Sequence, residues 1–483
     1  MSKRSERGDV TVESNGPAWD RSDTRNAVIA ALLGLLARVA YMSVLDVAPY
    51  DPWRHLQLLD NLRAGLGFTL FDGQPYLWYS PVWHVVLAAL PEVFRPDWVA
   101  MLFSALAVPL FYGFLRGAEN RRVALTGALV LALCGPVVRF TCHYGPEAFA
   151  LCLTLGALWL LRSRLALAWA VLAGLLYGTA LVARMNFLFV APLFVPGLRK
   201  PARGVAFGAG VFVPLVLTWW RNHNIISAHD WVFTWDGLAT RSADFNVFST
   251  LIVQLHPAVG EGLRRLHEIV VPVPEWTQSW WLVVFVALGA LAGIAARRLW
   301  LAVTIAGTLL YFLVLDTGMS SNFFRIYLVL LPAFAYGVAL AGERIMQSRT
   351  GGAVLAATFV LAGAPMFRPP QMVPMEMTAP PAGFLEDELY LVNSGFFHPE
   401  SLMRRHPGSR FIGLPIDAGQ LDEFLGDYPA ARTVLWHSFS VQDDVREALL
   451  ARPGTTLVRT KLNEFDRRYT VLALGDDSGG EEP

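Results

Sequence analysis

Two acids and three arginines stand at the ends of apolar runs, where a charge is costly. Asp51 opens the segment DPWRHLQLLDNLRAGLGFTLFDG, and Glu147 lies in CHYGPEAFALC. Arg184 closes one apolar run in ALVARMNF, Arg221 closes another in TWWRNHN, and Arg325 opens a third in NFFRIYLVLLP. On insertion scales a charge at hydrocarbon depth costs about 2.5–3.5 kcal/mol, so each needs a partner or a purpose. A carboxylate can take a proton, and guanidiniums can hold a phosphate. His55 follows Asp51 by one helical turn and shares its face. Every one of these residues also has a plain structural reading. Asp51-Pro52 is the pattern of a helix cap followed by proline at the first helical position. Pro146-Glu147 places an acid in a first turn, where it favours the helix dipole. The three arginines could snorkel to headgroups from helix ends. Arg38 lies deeper in an apolar run and must face protein or water. No histidines have ligand spacing, so a divalent metal finds little support there.

Composition says what must position these residues. The chain has 483 residues, 54% of them hydrophobic and only 16% charged. Soluble domains run at roughly 45–50% apolar and about 25% charged. Lys+Arg 39 against Asp+Glu 39 leaves no overall basic field, so nucleic acid is not an expected partner. Cys134, Cys142 and Cys152 make neither a disulfide framework nor a C-x-x-C zinc site. The class is a multi-span helical membrane protein.

About 20 apolar residues span the hydrocarbon core as a helix. Candidate spans are 27–45, 97–115, 123–140, 146–161, 165–183, 185–198, 204–220, 280–296, 299–315, 323–342 and 351–366, about eleven transmembrane helices in all. Residues 1–26 read as a loose tail, and 27–45 as a retained anchor. The run 81–94, short and flanked by Pro81 and Pro91, reads as a helix lying at the membrane surface. With the N-terminus cytoplasmic, the inner turns hold Arg116, Arg121, Arg122, Arg162, Arg164, Arg199, Lys200, Arg203, Arg297, Arg298, Arg344 and Arg349. The short outer turns hold only Arg139, Arg184 and Arg325. That asymmetry sets the orientation and puts the C-terminus outside. Outer loops 46–96 and 221–279 then share one face with the tail. Trp53, Trp78, Trp83, Trp98, Trp219, Trp220, Trp280 and Trp281 read as an interfacial belt, although sugar stacking uses the same residue type.

The module 27–366 is followed by a Pro-rich linker, 367–381, and an extracytoplasmic α/β domain, 382–483. Runs such as ELYLVNS, RFIGLP, RTVLWHSF and YTVLAL alternate with helix-like segments, which predicts a largely parallel sheet. The absence of G-x-G-x-x-G and of a P-loop leaves no nucleotide site. The absence of an internal repeat weakens a duplicated-transporter reading.

A series of short motifs runs in order along 46–340. Asp51 is followed by Asn61-Leu62 and Gly65-Leu66-Gly67, and Tyr79-Ser80-Pro81 precedes the surface helix. Glu147 comes next, then Gly174, Gly178 and Arg184, then Arg221-Asn222, then Arg325, Tyr327 and Pro332. This series resembles the GT-C glycosyltransferases, multi-span enzymes that use polyprenyl-phosphate-linked sugars. The resemblance is to the glycosyltransferase family 39-like members: dolichyl-phosphate-mannose:protein mannosyltransferases and bacterial aminoarabinose transferases. The chain departs from the pattern in two places. Pro52 stands where many relatives carry a second acid, and Ser80 with a single proline stands where some carry a lysine and two prolines. The W-W-D-Y-G motif of oligosaccharyltransferases is absent, so en bloc transfer of a large glycan is not expected.

The resemblance implies a GT-C-like catalytic module in the plasma (inner) membrane that transfers a sugar, with inversion, from a polyprenyl-phosphate donor. The acceptor would be the hydroxyl of an extracytoplasmic glycan, lipid or protein. It implies Asp51 as general base and Arg221, Arg325 and Arg184, with Tyr327, as ligands of the donor phosphate. Arg54, His55, Tyr79 and Asn222 would contact substrate. Glu147 would orient the acceptor, bind a cation or hold an arginine in place. These motifs identify no cofactor, although a divalent metal could share the phosphate charge. The alternatives are a lipid-linked-sugar transporter or flippase, and a structural protein whose tail binds a partner.

Overall fold

The computed structural model describes residues 19–44, 51–71, 73–77, 79–142, 144–163, 166–233, 239–244, 294, 298–314, 331–345, 389–393, 408–415, 417–437, 443–460 and 469–474. The candidate spans 280–296 and 351–366 fall outside these residues apart from residue 294, as does the first part of 323–342. Among the described residues, three helices are long and apolar enough to cross a membrane: α1 (Arg21–Val44), α4 (Pro96–Arg116) and α9 (Pro201–Ala228). Between α1 and α4 lie α2 (Asp51–Arg63), a hairpin of β1 (Thr69–Phe71) and β2 (Gln74–Pro75), and the short α3 (Val82–Ala88). After α4 come α5 (Arg121–Leu133), α6 (Gly135–Thr141), α7 (Glu147–Ser163) and α8 (Leu167–Ala183). Further helices cover Leu299–Val314 and Leu331–Ile345.

Three spans differ from the sequence expectation. The first helix starts at Arg21, inside what reads as a loose tail, because Asp23 anchors it. The buried Asp23 carboxylate accepts from Tyr112, Arg116 and Arg121 at 2.8, 2.8 and 3.0 Å. The run 123–140 is two helices, α5 and α6, joined at an extended Cys134. Pro136 has no N–H for the Ala132 carbonyl four residues back. Arg38 takes that role: its Nη1 donates to Ala132 O at 3.0 Å and Gly34 O at 2.8 Å, and its Nε donates to Ser104 Oγ at 2.5 Å. The deep arginine therefore faces protein and ties α1 to α4 and α5. The run 185–198 is a 3₁₀ helix over Met185–Gly197 containing Pro192 and Pro196. At about 2.0 Å per residue its 13 residues reach roughly 26 Å, close to the about 30 Å thickness of a hydrocarbon core.

Close packing of α8 on α9 sets the rest. A Cβ on Gly174 would overlap the Phe207 carbonyl, and one on Gly178 the Val211 carbonyl, so the two glycines let the backbones touch. The 28 residues of α9 extend about 42 Å, beyond a hydrocarbon core of about 30 Å. Arg221 and Asn222 stand about 30 Å along it from Pro201, near the length of such a core.

The C-terminal part forms a five-stranded sheet of β5 (Leu389–Val392), β6 (Arg410–Gly413), β7 (Thr433–His437), β8 (Thr456–Thr460) and β9 (Tyr469–Ala473), in the order β6-β5-β7-β9-β8. Only β6-β5-β7 is parallel; β9 runs antiparallel to both β7 and β8. Since β8 points the same way as β7, β9 is the one exception to the expected largely parallel sheet, for a simple reason. Residues 461–468 are too few for a crossover, which needs a dozen or more. Helices Leu421–Asp427 and Asp443–Ala451 cover one face, with Phe424, Val445 and Leu449 against Leu391, Ile412 and Trp436. On the other face Tyr390, Val392, Phe411 and Leu435 pack on Phe68, Phe71, Tyr76 and Phe233, from the segments that follow α2 and α9.

Candidate functional site

The site grows out of the segment between α1 and α4. Helix α2 stops in a Schellman turn: Leu66 N–H donates to Asn61 O at 2.9 Å and Gly65 N–H to Leu62 O at 3.2 Å. Gly65 sits at φ +78° and so does Gly67, a conformation that costs a residue with a Cβ. The Asn61 amide then donates to Thr69 O at 2.8 Å, pinning the hairpin back on its helix. This returns the chain over α2 and delivers Tyr76, Tyr79 and α3 beside Arg54 and His55, both buried.

From there a continuous array of contacts links five separate elements. Glu147, at the first residue of α7, is ion-paired through Oε1 to Nη2 of Arg184, which directly follows α8. The Arg184 guanidinium carbon lies 5.8 Å from the centre of the Tyr79 ring. Tyr79 stacks on His55 with ring centres 4.8 Å apart and planes inclined by 18°. His55 Nδ1 and His84 Nε2 are 3.0 Å apart, a hydrogen bond between two buried imidazoles. The Phe68 ring meets His84 edge to face at 4.8 Å and lies 5.4 Å from the Arg221 guanidinium carbon. Arg221 Nη1 in turn donates to the Oδ1 of buried Asn222 at 2.9 Å.

Glu147, Arg184, Tyr79, His55, Arg221 and Asn222 thus meet, although they are spread widely in sequence. Arg54 is close enough to act electrostatically on Tyr79. Asp51 is the first residue of α2, one turn before His55, and its side chain lies outside the described residues, as do Arg325 and Tyr327. Burial pushes the Tyr79 hydroxyl above its ordinary value, so it remains a donor at neutral pH. Glu147 holds an arginine, which is one of the three roles open to it from sequence. Among the described residues no group of three or more His, Cys, Asp or Glu is placed to hold a metal ion. Sequence reasoning passed over His84, Phe68 and Tyr76. The available signal was a lone histidine in the otherwise apolar VWHVVLA of the surface helix. Trp83 belongs to the core instead of the aromatic belt: it is fully buried, and its Nε1–H donates to Tyr144 O at 2.6 Å. Trp98, Trp219 and Trp220 are exposed; the side chains of Trp53, Trp78, Trp280 and Trp281 lie outside the described residues.

His84 carries a pH consequence. Burial, with the Arg221 charge adding to it, pushes its pKa down to about 3, against some help from the Ser80 main chain. An unfolded histidine titrates near 6.5, so below that pH the unfolded chain takes up the proton first. The stability linked to His84 is therefore complete above about pH 6.5 and falls as pH drops toward about 3. In detergent, the unfolding midpoint of His84→Gln is expected to decline less than that of wild type between pH 7 and 4. Equal slopes would sink this expectation.

No family model matches the chain, and no curated protein sequence does. Solved structures do. The crystal structure of ArnT from Cupriavidus metallidurans bound to undecaprenyl phosphate aligns with a TM-score of 0.54 at 13% identity, covering 93% of this chain and 98% of that one. The apo oligosaccharyltransferase of Archaeoglobus fulgidus gives a TM-score of 0.49 at 13% identity, with coverage of 86% and 69%. AglB from the same organism, in complex with an inhibitory peptide and a dolichol-phosphate, gives 0.46 at 12% identity and the same coverage. Nearly complete coverage of both chains in the ArnT comparison identifies the architecture: the chain shares the helical membrane-protein fold of that structure.

Proposed function

We propose that the chain is an integral-membrane glycosyltransferase that moves a sugar from a polyprenyl-phosphate carrier to the hydroxyl of an extracytoplasmic acceptor, with inversion. The observation that carries this reading is the state of Arg221. It sits at the membrane edge, and among the described residues it meets no carboxylate, only Asn222 and the face of Phe68. A guanidinium so placed calls for an anion, and a phosphate offers the geometry its fork matches. Arg184 differs, since Glu147 already neutralises it. Arg221, together with Arg325 and Tyr327, is therefore assigned to the donor phosphate, and Arg184 to holding Tyr79. The ArnT structure, with undecaprenyl phosphate bound, supports a lipid-linked donor.

In the reaction the acceptor oxygen bonds to the anomeric carbon while the bond from that carbon to the phosphate oxygen breaks. The electron pair leaves with the polyprenyl phosphate, and the acceptor proton passes to Asp51. Arg54, His55, Tyr79 and Asn222 line the acceptor and sugar side. The module has eleven spans, its N-terminus is cytoplasmic and its C-terminal sheet is extracytoplasmic; the arginine and lysine bias of the inner turns supports that orientation.

Removing one preorganised donor to a developing anion costs about 2.7–4 kcal/mol, or roughly 10²–10³ in turnover. Arg221→Ala is expected to fall by that factor, read as polyprenyl phosphate released from a lipid-linked sugar. Native mass spectrometry should also find a co-purified polyprenyl-phosphate lipid in wild type that is lost in the variant. Lipid bound by wild type but never converted would favour a flippase, and turnover of the variant at the wild-type rate would remove Arg221 from the phosphate site.

A further inference from the structure

An α/β sheet normally has helices over both faces. Among the described residues the C-terminal sheet has helices on one face only. Its other face, formed by Tyr390, Val392, Phe411 and Leu435, is covered by side chains of the membrane module's outer loops. The contact extends beyond apolar burial. The Gln74 side chain grips the main chain at the end of β6 at two points: its Nε2–H donates to Gly413 O at 3.1 Å, and its Oε1 accepts from Gly413 N–H at 2.8 Å. Gly413 has no room for a side chain, since a Cβ there would lie 2.5 Å from Cε2 of Phe233. Phe233 in turn bridges to Tyr76, and its carbonyl accepts from Leu77 N–H at 2.8 Å. Tyr76 packs on Tyr79 with ring centres 5.5 Å apart. The sheet end, the two outer loops and the aromatic floor of the site are therefore one connected piece.

We propose that Gln74 and Gly413 form a latch through which the C-terminal sheet positions Tyr79 and the Arg184 it faces, making that sheet part of the scaffold of the site. Gln74 is a positioning residue: it touches no proposed reacting atom and acts through the segment Gln74–Tyr79. A glutamine suits the task because its amide both donates and accepts, matching the N–H and C=O of a single glycine. The sheet is then neither a tethered lid nor a separable partner-binding module.

The test uses the full-length protein in detergent or nanodiscs, with Gln74→Met, which keeps the volume but neither hydrogen bond, and Gly413→Ala. Asp422→Ala, at an exposed site on the helical side of the sheet, is the control and should match wild type. Hydrogen exchange of the backbone over residues 74–80 should quicken at least tenfold in both latch variants, while α4 and α9 keep their protection. Turnover should drop at least tenfold with the amount of co-purified donor lipid unchanged, and the double variant should be no worse than the poorer single one. Unchanged exchange over 74–80 in Gln74→Met would overturn the latch, and so would turnover within twofold of wild type or losses that multiply in the double variant. The kinetic readout rests on the glycosyltransferase reading and the exchange readout does not. If the wild-type protein transfers no sugar, that reading fails while exchange still decides the latch.

Discussion

Asp51→Asn is expected to reduce turnover about 10³-fold while leaving the protein folded and its lipid bound. General-base catalysis contributes roughly 10²–10⁴, and a factor of 10³ is about 4 kcal/mol in the barrier. The competing account is structural, because Asp51 is the first residue of α2 and an acid there favours the helix N-terminus. Substitution chemistry separates the two. Asparagine caps a helix about as well as aspartate, whereas alanine loses roughly 0.5–2 kcal/mol. If capping is the whole role, the Asp51→Asn enzyme should turn over like wild type and only Asp51→Ala should suffer. If Asp51 takes the acceptor proton, both variants slow about 10³-fold, and Asp51→Ala is in addition the less stable. The measurement is initial-rate release of polyprenyl phosphate for both variants, alongside their unfolding midpoints.

What could be read from the sequence divides along a physical line. Charges at the ends of apolar runs are legible because hydrocarbon makes each of them expensive, and the structure brings Glu147, Arg184 and Arg221 to one face. Their partners were less legible. The imidazole pair is a contact between residues 29 positions apart, and His84 alone looks like any polar residue on a short surface helix. The same holds for Phe68, whose ring lies between His84 and Arg221 only because the Gly65-Leu66-Gly67 turn folds the chain back over α2.

The tail shows the limit differently. All four residues of β5 are apolar and buried, so two covered faces could be read from LYLV, but nothing in that run says what covers the second. The cover comes from Phe233 and from residues more than 300 positions earlier, as the span from Gln74 to Gly413 shows. Two other departures were readable in principle. Pro136 within a candidate span predicts a freed carbonyl four residues back, and it is Ala132 that Arg38 serves. The brevity of 461–468 likewise forbids a parallel crossover before β9.

The second large effect concerns the buried ion pair of the site. Glu147 is almost fully buried, and its partner Arg184 keeps 23% of its side-chain exposure. Breaking a buried pair by removing one member usually costs 3–5 kcal/mol, because the remaining charge is stranded. With Arg184 partly solvated, Glu147→Gln is expected near the lower end, about 3 kcal/mol. Replacing both members with apolar residues of similar volume is often neutral, so Glu147→Leu combined with Arg184→Met should regain most of the lost stability. Activity should not follow. The double variant has no guanidinium against the Tyr79 ring, and the stack of Tyr79 on His55 loses the charge that holds its other side. Stability and turnover are therefore expected to part company: both are low in Glu147→Gln, and only stability is restored in the double variant. Unfolding midpoints and turnover measured on the same preparations check this. Recovery of turnover along with stability would reduce the pair to a packing device, and a wild-type midpoint in Glu147→Gln would mean that Arg184 finds its compensation elsewhere.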